Sequence, residues 1–388
     1  MSKHLLFIPG PVTCSEDVLA AVAKPMIDHR GPEMARILRR IAAGMQPIFG
    51  TKNEVVLLGS SGSGGLEAAV GNLFGPGDTV LACPVGVFGD RLINIAKNFG
   101  CDVRVLSTPW GSGVDPAELA RVLEADKDKK IAGILLTHNE TSTGVQNDMA
   151  PLAAATRAHG AITIVDSVSG LGASEFTMDA WGFDVVVTAS QKALAVPPGI
   201  AMLAVSERAW KRMDGPHAPV FYLDLKKARE FAALGQTPWT PPVSIAYGLE
   251  VALDLYERDG ARAVWNRHAR YATAIRAAAK ALGLELFSHD GAHSVTVVAI
   301  KNPPGVDGDA IRKHLREHRG ITLGGGQKDL KGKIIRIGTM GDLTQTDILG
   351  MLGAFEIALL EAGHSVQIGT GAKAALEIFL AEPDAVPA

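Results

Sequence analysis

Apolar positions in the first half of the chain alternate between two periods. Glu54–Leu58 (EVVLL) is a short apolar run and reads as a strand. After the glycine-rich Ser60–Gly65 stretch, apolar residues fall at Leu66, Ala69, Val70, Leu73 and Phe74, the i, i+3, i+4, i+7, i+8 spacing of one helical face. Gly75-Pro76-Gly77-Asp78 ends that helix, and Thr79–Cys83 reads as the next strand. The cycle then predicts a helix from Asp115-Pro116 to Leu123, where an N-cap residue precedes a proline suited to the first turn. A strand at Ile131–Thr137, a helix at Asp148–His159 and strands at Ala161–Asp166 and Asp184–Thr188 follow. Strands that are apolar throughout and alternate with helices predict an α/β fold with a mainly parallel sheet covered on both faces.

Near residue 240 the pattern changes. Val243–Leu282 is one long helical stretch, with a break expected at Asp259-Gly260. A strand (Ser294–Ile300), a helix (Asp309–Arg319), a strand (Lys333–Ile337) and a helix (Thr344–Ala362) come after it. These predict an N-terminal arm over residues 1–20, a large domain over 21–260 and a smaller C-terminal α/β domain over 261–388.

Composition narrows the classes. At 388 residues the chain has room for two domains, and 47% hydrophobic with 20% charged residues excludes wholesale disorder. Lys and Arg total 38 against 41 Asp and Glu, a formal charge of −3. That balance carries no footprint for nucleic acid or an anionic membrane. The cysteines Cys14, Cys83 and Cys101 are odd in number and lack CxxC spacing, which argues against a disulfide framework and a structural zinc site. The N-terminal apolar run, Leu5–Ile8, is short for a signal-peptide core, and no stretch approaches the ~18 apolar residues of a membrane span. The expectation is a soluble, cytoplasmic protein with no metal.

In open parallel sheets ligands sit beyond the carboxyl ends of the strands, and three such corners carry polar groups. Ser60-Ser61-Gly62-Ser63-Gly64-Gly65 joins a strand to a helix, where open backbone N–H groups and the helix dipole favour an anion. It is not a Walker A loop, and the dinucleotide fingerprint fails because Glu67 stands where glycine is required. Asp166 ends an apolar strand, and Lys192 follows another with Ala193-Leu194-Ala195-Val196 behind it. Taken singly, each has a plain structural reading: a capped turn, a carboxylate bonding a loop amide, a solvated lysine. Taken together, an anion cradle, a carboxylate and an amine are the groups pyridoxal phosphate requires for its phosphate, its ring nitrogen and its aldehyde.

At these residues the sequence resembles the class V aminotransferases of the fold type I pyridoxal-phosphate enzymes, and within them the serine–glyoxylate and alanine–glyoxylate branch. The resemblance runs from Pro9-Gly10-Pro11 to about Gly341. It rests on Asp28–Glu33 (DHRGPE), Ser61–Ala69 (SGSGGLEAA), His138–Gly144 (HNETSTG), Val165–Val168, Ser190–Leu194 (SQKAL) and Arg336-Ile337-Gly338. It implies a large cofactor-binding domain, a small C-terminal domain and a homodimer with shared sites. Lys192 would join the cofactor aldehyde, and Asp166 would pair with the pyridinium. Ser61, Gly62, Ser63 and Gln191 would hold the phosphate, with Thr240 lent by the neighbouring subunit. Phe88 would stack on the ring where many relatives have Trp, Val168 would pack on its other face, and Thr141 would bond its hydroxyl. Arg336 would take the substrate α-carboxylate, with Gly10 beside it. A relative that uses unphosphorylated pyridoxamine has lost the cradle, which Ser61-Gly62-Ser63 keeps here.

The activity so implied moves an amino group from serine or alanine to glyoxylate or pyruvate. An aspartate- or phosphoserine-type enzyme would need a second cation, for which Arg30 or His29 are the candidates. A cysteine desulfurase would need a cysteine in the second half, and none lies beyond Cys101. A catalytically silent binding subunit would not need Lys192 and Asp166. His314 and His318 are spaced i, i+4, but Leu315 stands where a zinc peptidase needs Glu, so a solvated face is expected. Gly324-Gly325-Gly326 is expected to be a mobile loop near the site.

Overall fold

The structure, a computed structural model, describes residues 4–381, so residues 1–3 of the expected arm and 382–388 of the expected small domain lie outside it. In chain order the strands are Leu5–Phe7 (β1), Glu54–Leu58 (β2), Thr79–Cys83 (β3), Asp102–Val105 (β4), Ile131–Thr137 (β5), Asn139–Glu140 (β6), Val145–Gln146 (β7), Ile162–Asp166 (β8), Val185–Ala189 (β9), Ala201–Val205 (β10), Val297–Lys301 (β11), Ile321–Gly325 (β12) and Ile334–Gly338 (β13). Seven of them form one sheet in the order β2-β10-β9-β8-β5-β3-β4. β9, β8, β5, β3 and β4 run parallel. β10 is antiparallel to both its neighbours, β2 and β9, so β2 points with the parallel set. Every strand of the sheet except β10 therefore ends at one edge.

The apolar runs are explained by cores on both faces. Val165 and Val186 point into one core and Ile164, Val185 and Val187 into the other, the period of two that a doubly covered strand requires. The expected helix after the glycine-rich turn is Gly62–Leu73, and the one begun by Asp115-Pro116 is Pro116–Ala125, with the Asp115 side chain accepting from Ala117 N.

A second sheet, ordered β1-β12-β13-β11, has its own core with the helices Ala261–Ala281, Gly308–Arg319, Gln345–Glu361 and Thr370–Ala381. The long helical stretch breaks at Gly260, whose φ of +80° suits glycine, into Val243–Asp259 and Ala261–Ala281. Within the segment read as an arm, Leu5–Phe7 pairs in parallel with β12 of this sheet.

Among the elements that differ from the sequence reading, three bear on the sheets. β4 (DVRV) is a largely exposed edge strand and lacks the apolar run that marks the others. β10 went unread because it follows Pro197-Pro198-Gly199 and returns antiparallel, against the βα rhythm. Gly324 and Gly325 are not loop: they end β12 and pair with Arg336 and Ile335 of β13. Among the described residues, no helix is long and apolar enough to cross a membrane.

Candidate active site

The common strand edge gathers the polar corners. Lys192, Asp166, Ser61, Gly62, Ser63, Phe88, Thr141, Val168, Gln191 and Gly10 all line one cavity of about 190 Å³, together with Arg91 and Asn139. A larger cavity of about 310 Å³ lies behind the lysine turn, between Ala193–Ala195, Tyr256 and His268. None of the candidate catalytic, cofactor-binding or substrate-binding residues lines it.

Lys192 is placed by a tight turn after β9. Ala195 N donates to Lys192 O at 2.9 Å, and Ser190 Oγ donates to Pro197 O at 2.8 Å. The ammonium donates to Pro9 O at 2.5 Å. Gly10 allows this approach, since a Cβ there would stand 2.6 Å from Lys192 Nζ and its φ is +119°. Burial brings the Lys192 pKa down to about 8, with Asp166 pulling it up and Arg336 and Arg91 pulling it down. Asp166 ends the fully buried β8. Burial lifts its pKa to about 7 against the hydrogen bond from Val168 N at 3.0 Å. A cation beside it would restore the charged carboxylate.

The cradle fits a phosphate. Gly62 opens the helix Gly62–Leu73, and its N-cap Ser61 makes no side-chain cap bond, so among the described residues the Gly62 and Ser63 amides are left for an anion, while Gly64 N and Gly65 N donate to Ser61 O. A Cβ on Gly62 would lie 2.7 Å from Val168 Cγ2, so only glycine lets the backbone pass this close. Gln191 Oε1 is buried without a hydrogen-bond partner, which leaves its amide free to turn its N–H groups to an anion. An anion cradle, a buried carboxylate and a buried amine in one cavity match the three polar ends of pyridoxal phosphate.

Two residues of the site were missed in the sequence. Arg91 lines the cavity mouth, donates from Nη1 to Ser63 Oγ at 2.7 Å and lies over the Phe88 ring, 4.6 Å from its centroid. Glu140 is fully buried. Its Oε2 accepts from Phe88 N at 2.9 Å and Gly89 N at 3.0 Å, while Oε1 accepts from Ser142 N at 3.0 Å and Ser142 Oγ at 2.6 Å. It thereby caps the helix Val87–Asn98, whose own N-cap, Gly86, has no side chain to offer. The i, i+3 spacing of Phe88 and Arg91 at that helix start was the signal for the arginine. Glu140 gave none, because the helix amides it caps, Phe88 N and Gly89 N, lie 52 and 51 residues away.

Arg336, on β13 of the smaller sheet, donates from Nε to Gly325 O at 2.7 Å and from Nη1 to Thr141 O at 2.8 Å. It is buried, which lowers its pKa to about 10, and among the described residues no carboxylate pairs with it. Thr240 does not line the cavity. It is exposed beside a separate cleft with Tyr222 and Trp239. Arg30 and His29, the candidate second cations, do not line it either; Arg30 is exposed and donates to Gln236 Oε1 at 2.9 Å. Among the described residues Arg91 is the one arginine that lines this cavity.

Comparison with known proteins places the chain in a family. The class-V aminotransferase family model matches residues 13–348. The chain is 38% identical to the soluble hydrogenase 42 kDa subunit of Anabaena cylindrica, over 97% of this chain and 99% of that one. It is 37% identical to the L-aspartate–glyoxylate aminotransferase of Paracoccus denitrificans, over 97% and 96%. The crystal structure of ureidoglycine–glyoxylate aminotransferase from Bacillus subtilis is similar with a TM-score of 0.92 at 29% identity, covering 98% of this chain and 99% of that one.

Proposed function

The chain belongs to the class V aminotransferases, enzymes that use pyridoxal phosphate, and from that premise we propose that it carries the amino group of serine or alanine to a small 2-oxo acid, with glyoxylate preferred over pyruvate. When bound, pyridoxal phosphate supplies an aldehyde that takes up the amino group and a ring that draws electrons from the substrate Cα. The Ser61–Ser63 amides and hydroxyls, with Gln191, would hold its phosphate; Phe88 and Val168 would flank its ring, and Thr141 would meet the ring hydroxyl. Asp166 would keep a proton on the ring nitrogen. Lys192 Nζ is the amine that would hold the cofactor aldehyde and, in its free form, would accept the proton from the substrate Cα, a role suited to an amine whose pKa lies near 8.

Arg336 grips the substrate α-carboxylate with its remaining donors, each charge-assisted bond contributing about 1.5–3 kcal/mol. One carboxylate anchor suits a small monocarboxylate such as glyoxylate, and Gly10 leaves room beside it. The observation that carries the reading is the meeting of Lys192, Asp166 and the Ser61–Ser63 turn in one cavity, with a buried Arg336, paired to no carboxylate among the described residues, bonded to Thr141 O at its wall.

A second copy of the chain completes this site. Thr240 reaches the partner's phosphate from an exposed segment, and Phe221 (74% exposed), Tyr222 (51%) and Leu234 (63%) nearby offer apolar surface for the contact. A catalytically competent monomer in sedimentation at assay concentration would defeat the homodimer. Free Cys14, Cys83 and Cys101 suit a reducing compartment, and we place the protein in the cytoplasm.

An aspartate donor is the competing reading, favoured by the Paracoccus relative. A half-reaction screen decides between them: the holoenzyme is mixed with each amino acid, and conversion of the cofactor is followed by absorbance. Serine and alanine should react fastest. Conversion by aspartate or glutamate at least tenfold faster than by either would replace this donor assignment. A holoenzyme that no amino acid converts would sink the transaminase reading and favour a binding subunit.

A further inference from the structure

Ser63 lies in the first turn of the helix Gly62–Leu73, and its hydroxyl oxygen accepts from Arg91 Nη1 at 2.7 Å. A hydroxyl has one proton, and a donor seated on its oxygen turns that proton away. Among the described residues Ser63 Oγ donates to no protein acceptor, so its O–H is left for something in the cavity. Arg91 is exposed at the cavity mouth and rests on the Phe88 ring. No carboxylate pairs with it among the described residues; its neighbour Asp90 is taken by Lys328 at 3.0 Å. Its charge also reaches the cavity floor, drawing the pKa values of Asp166 and Lys192 down.

The rest of the cradle is electrically neutral: backbone amides, two serines and the Gln191 amide. A phosphate monoester carries nearly two negative charges at neutral pH. A cradle without a formal positive charge would hold it through dipoles alone.

Building on the proposed function, we infer that Arg91 is the residue by which this chain distinguishes the phosphorylated cofactor from its unphosphorylated form. It adds the one positive charge of the cradle in this chain and fixes the Ser63 hydroxyl as a donor to the phosphate. Glu140 positions it, because the carboxylate that accepts from Phe88 N and Gly89 N holds the helix turn from which Arg91 projects.

The test measures binding. Cofactor is removed from the holoenzyme, and rebinding of pyridoxal phosphate and of pyridoxal is measured by equilibrium dialysis. Arg91→Met keeps bulk on the Phe88 ring and removes the charge. It should weaken pyridoxal phosphate by about 10–100-fold, the range of a charge-assisted hydrogen bond, and change pyridoxal by less than about threefold. Arg91→Lys should recover part of the loss. Combining Arg91→Met with Ser63→Ala should cost less than the product of the single effects, since the two side chains act as one unit.

Equal weakening of both cofactor forms would overturn the inference by making Arg91 a support for the ring. So would unchanged affinity for pyridoxal phosphate, including the case in which only the aspartate half-reaction slows and the charge serves a substrate carboxylate. A wild-type chain that binds neither form would remove the functional reading itself.

Discussion

Glu140 and Asp166 are both buried carboxylates at the same edge of the large sheet, and the protein treats them in opposite ways. A carboxylate offers about four lone-pair sites. Glu140 fills its sites with two amides of the Val87–Asn98 helix and with Ser142, and it does not line the cavity. Among the described residues Asp166 has one donor, Val168 N, and it faces the cavity with the rest of its capacity open. Burial raises the pKa of both, and the charge of Glu140 adds to the rise at Asp166. The contrast teaches that burial alone does not mark a carboxylate as available to a ligand; hydrogen-bond capacity left open toward a cavity does.

The sharpest way to probe the open corner is through its amine. Lys192→Ala should abolish turnover while the chain stays folded and still binds pyridoxal phosphate through the Ser61–Ser63 cradle; turnover within tenfold of wild type would remove Lys192 from the mechanism. Asp166→Asn comes next. Asn still accepts from Val168 N but cannot hold a ring proton, so kcat should fall roughly 10²–10³-fold, with cofactor affinity and the urea midpoint of the holoenzyme little changed. A near-normal kcat would make Asp166 a second Glu140.

Glu140→Gln should show the reverse profile. An amide N–H₂ must face at least one of the backbone donors that now share the carboxylate, and each donor left without a partner costs about 1–3 kcal/mol. Urea denaturation should therefore register a loss of about 2–4 kcal/mol, with kcat recovered when cofactor is supplied in excess. An unchanged midpoint would erase the distinction drawn between the two carboxylates.

The smallest effect is a pH slope in the cofactor-free chain. Asp166 keeps its proton to about pH 7 when folded, against an ordinary value of 3.8, so the folded state binds more protons in that window. Stability should fall as pH rises through it. Lys192 loses its proton near pH 8 instead of 10.5, so from 8 upward the unfolded state binds more and stability should rise. Between pH 5 and 7, wild type should lose about 1–2 kcal/mol relative to Asp166→Asn. Parallel curves for the two would show that Asp166 ionises without penalty.

Much of the site was legible along the chain, for a geometric reason. Ser61–Ser63, Asp166 and Lys192 each stand just past an apolar run, and parallel strands bring all such ends to one edge whatever their distance in sequence. Arg91 was harder to see: an arginine on an amphipathic helix is ordinarily solvated, and only its bond to Ser63 Oγ gives it a place. Glu140 lies inside HNETSTG, yet nothing along the chain shows its role, because Phe88 and Gly89, whose amides it accepts from, lie on another element. Arg30 shows the opposite failure, a charged residue in a distinctive motif that the fold leaves outside the cavity.

The sequence by itself determined the α/β alternation, the family, the anion cradle and the pairing of a carboxylate with an amine. Those features depend on local periodicity and on glycines that admit close backbone approach, both written in neighbouring residues. The antiparallel return of β10, the capture of Leu5–Phe7 by the small sheet, and the bonding of Arg336 to Thr141 across two sheets were decided only by the tertiary structure. Each depends on partners far apart in the chain, whose meeting is set by how the cores pack and which buried polar groups still need a hydrogen bond.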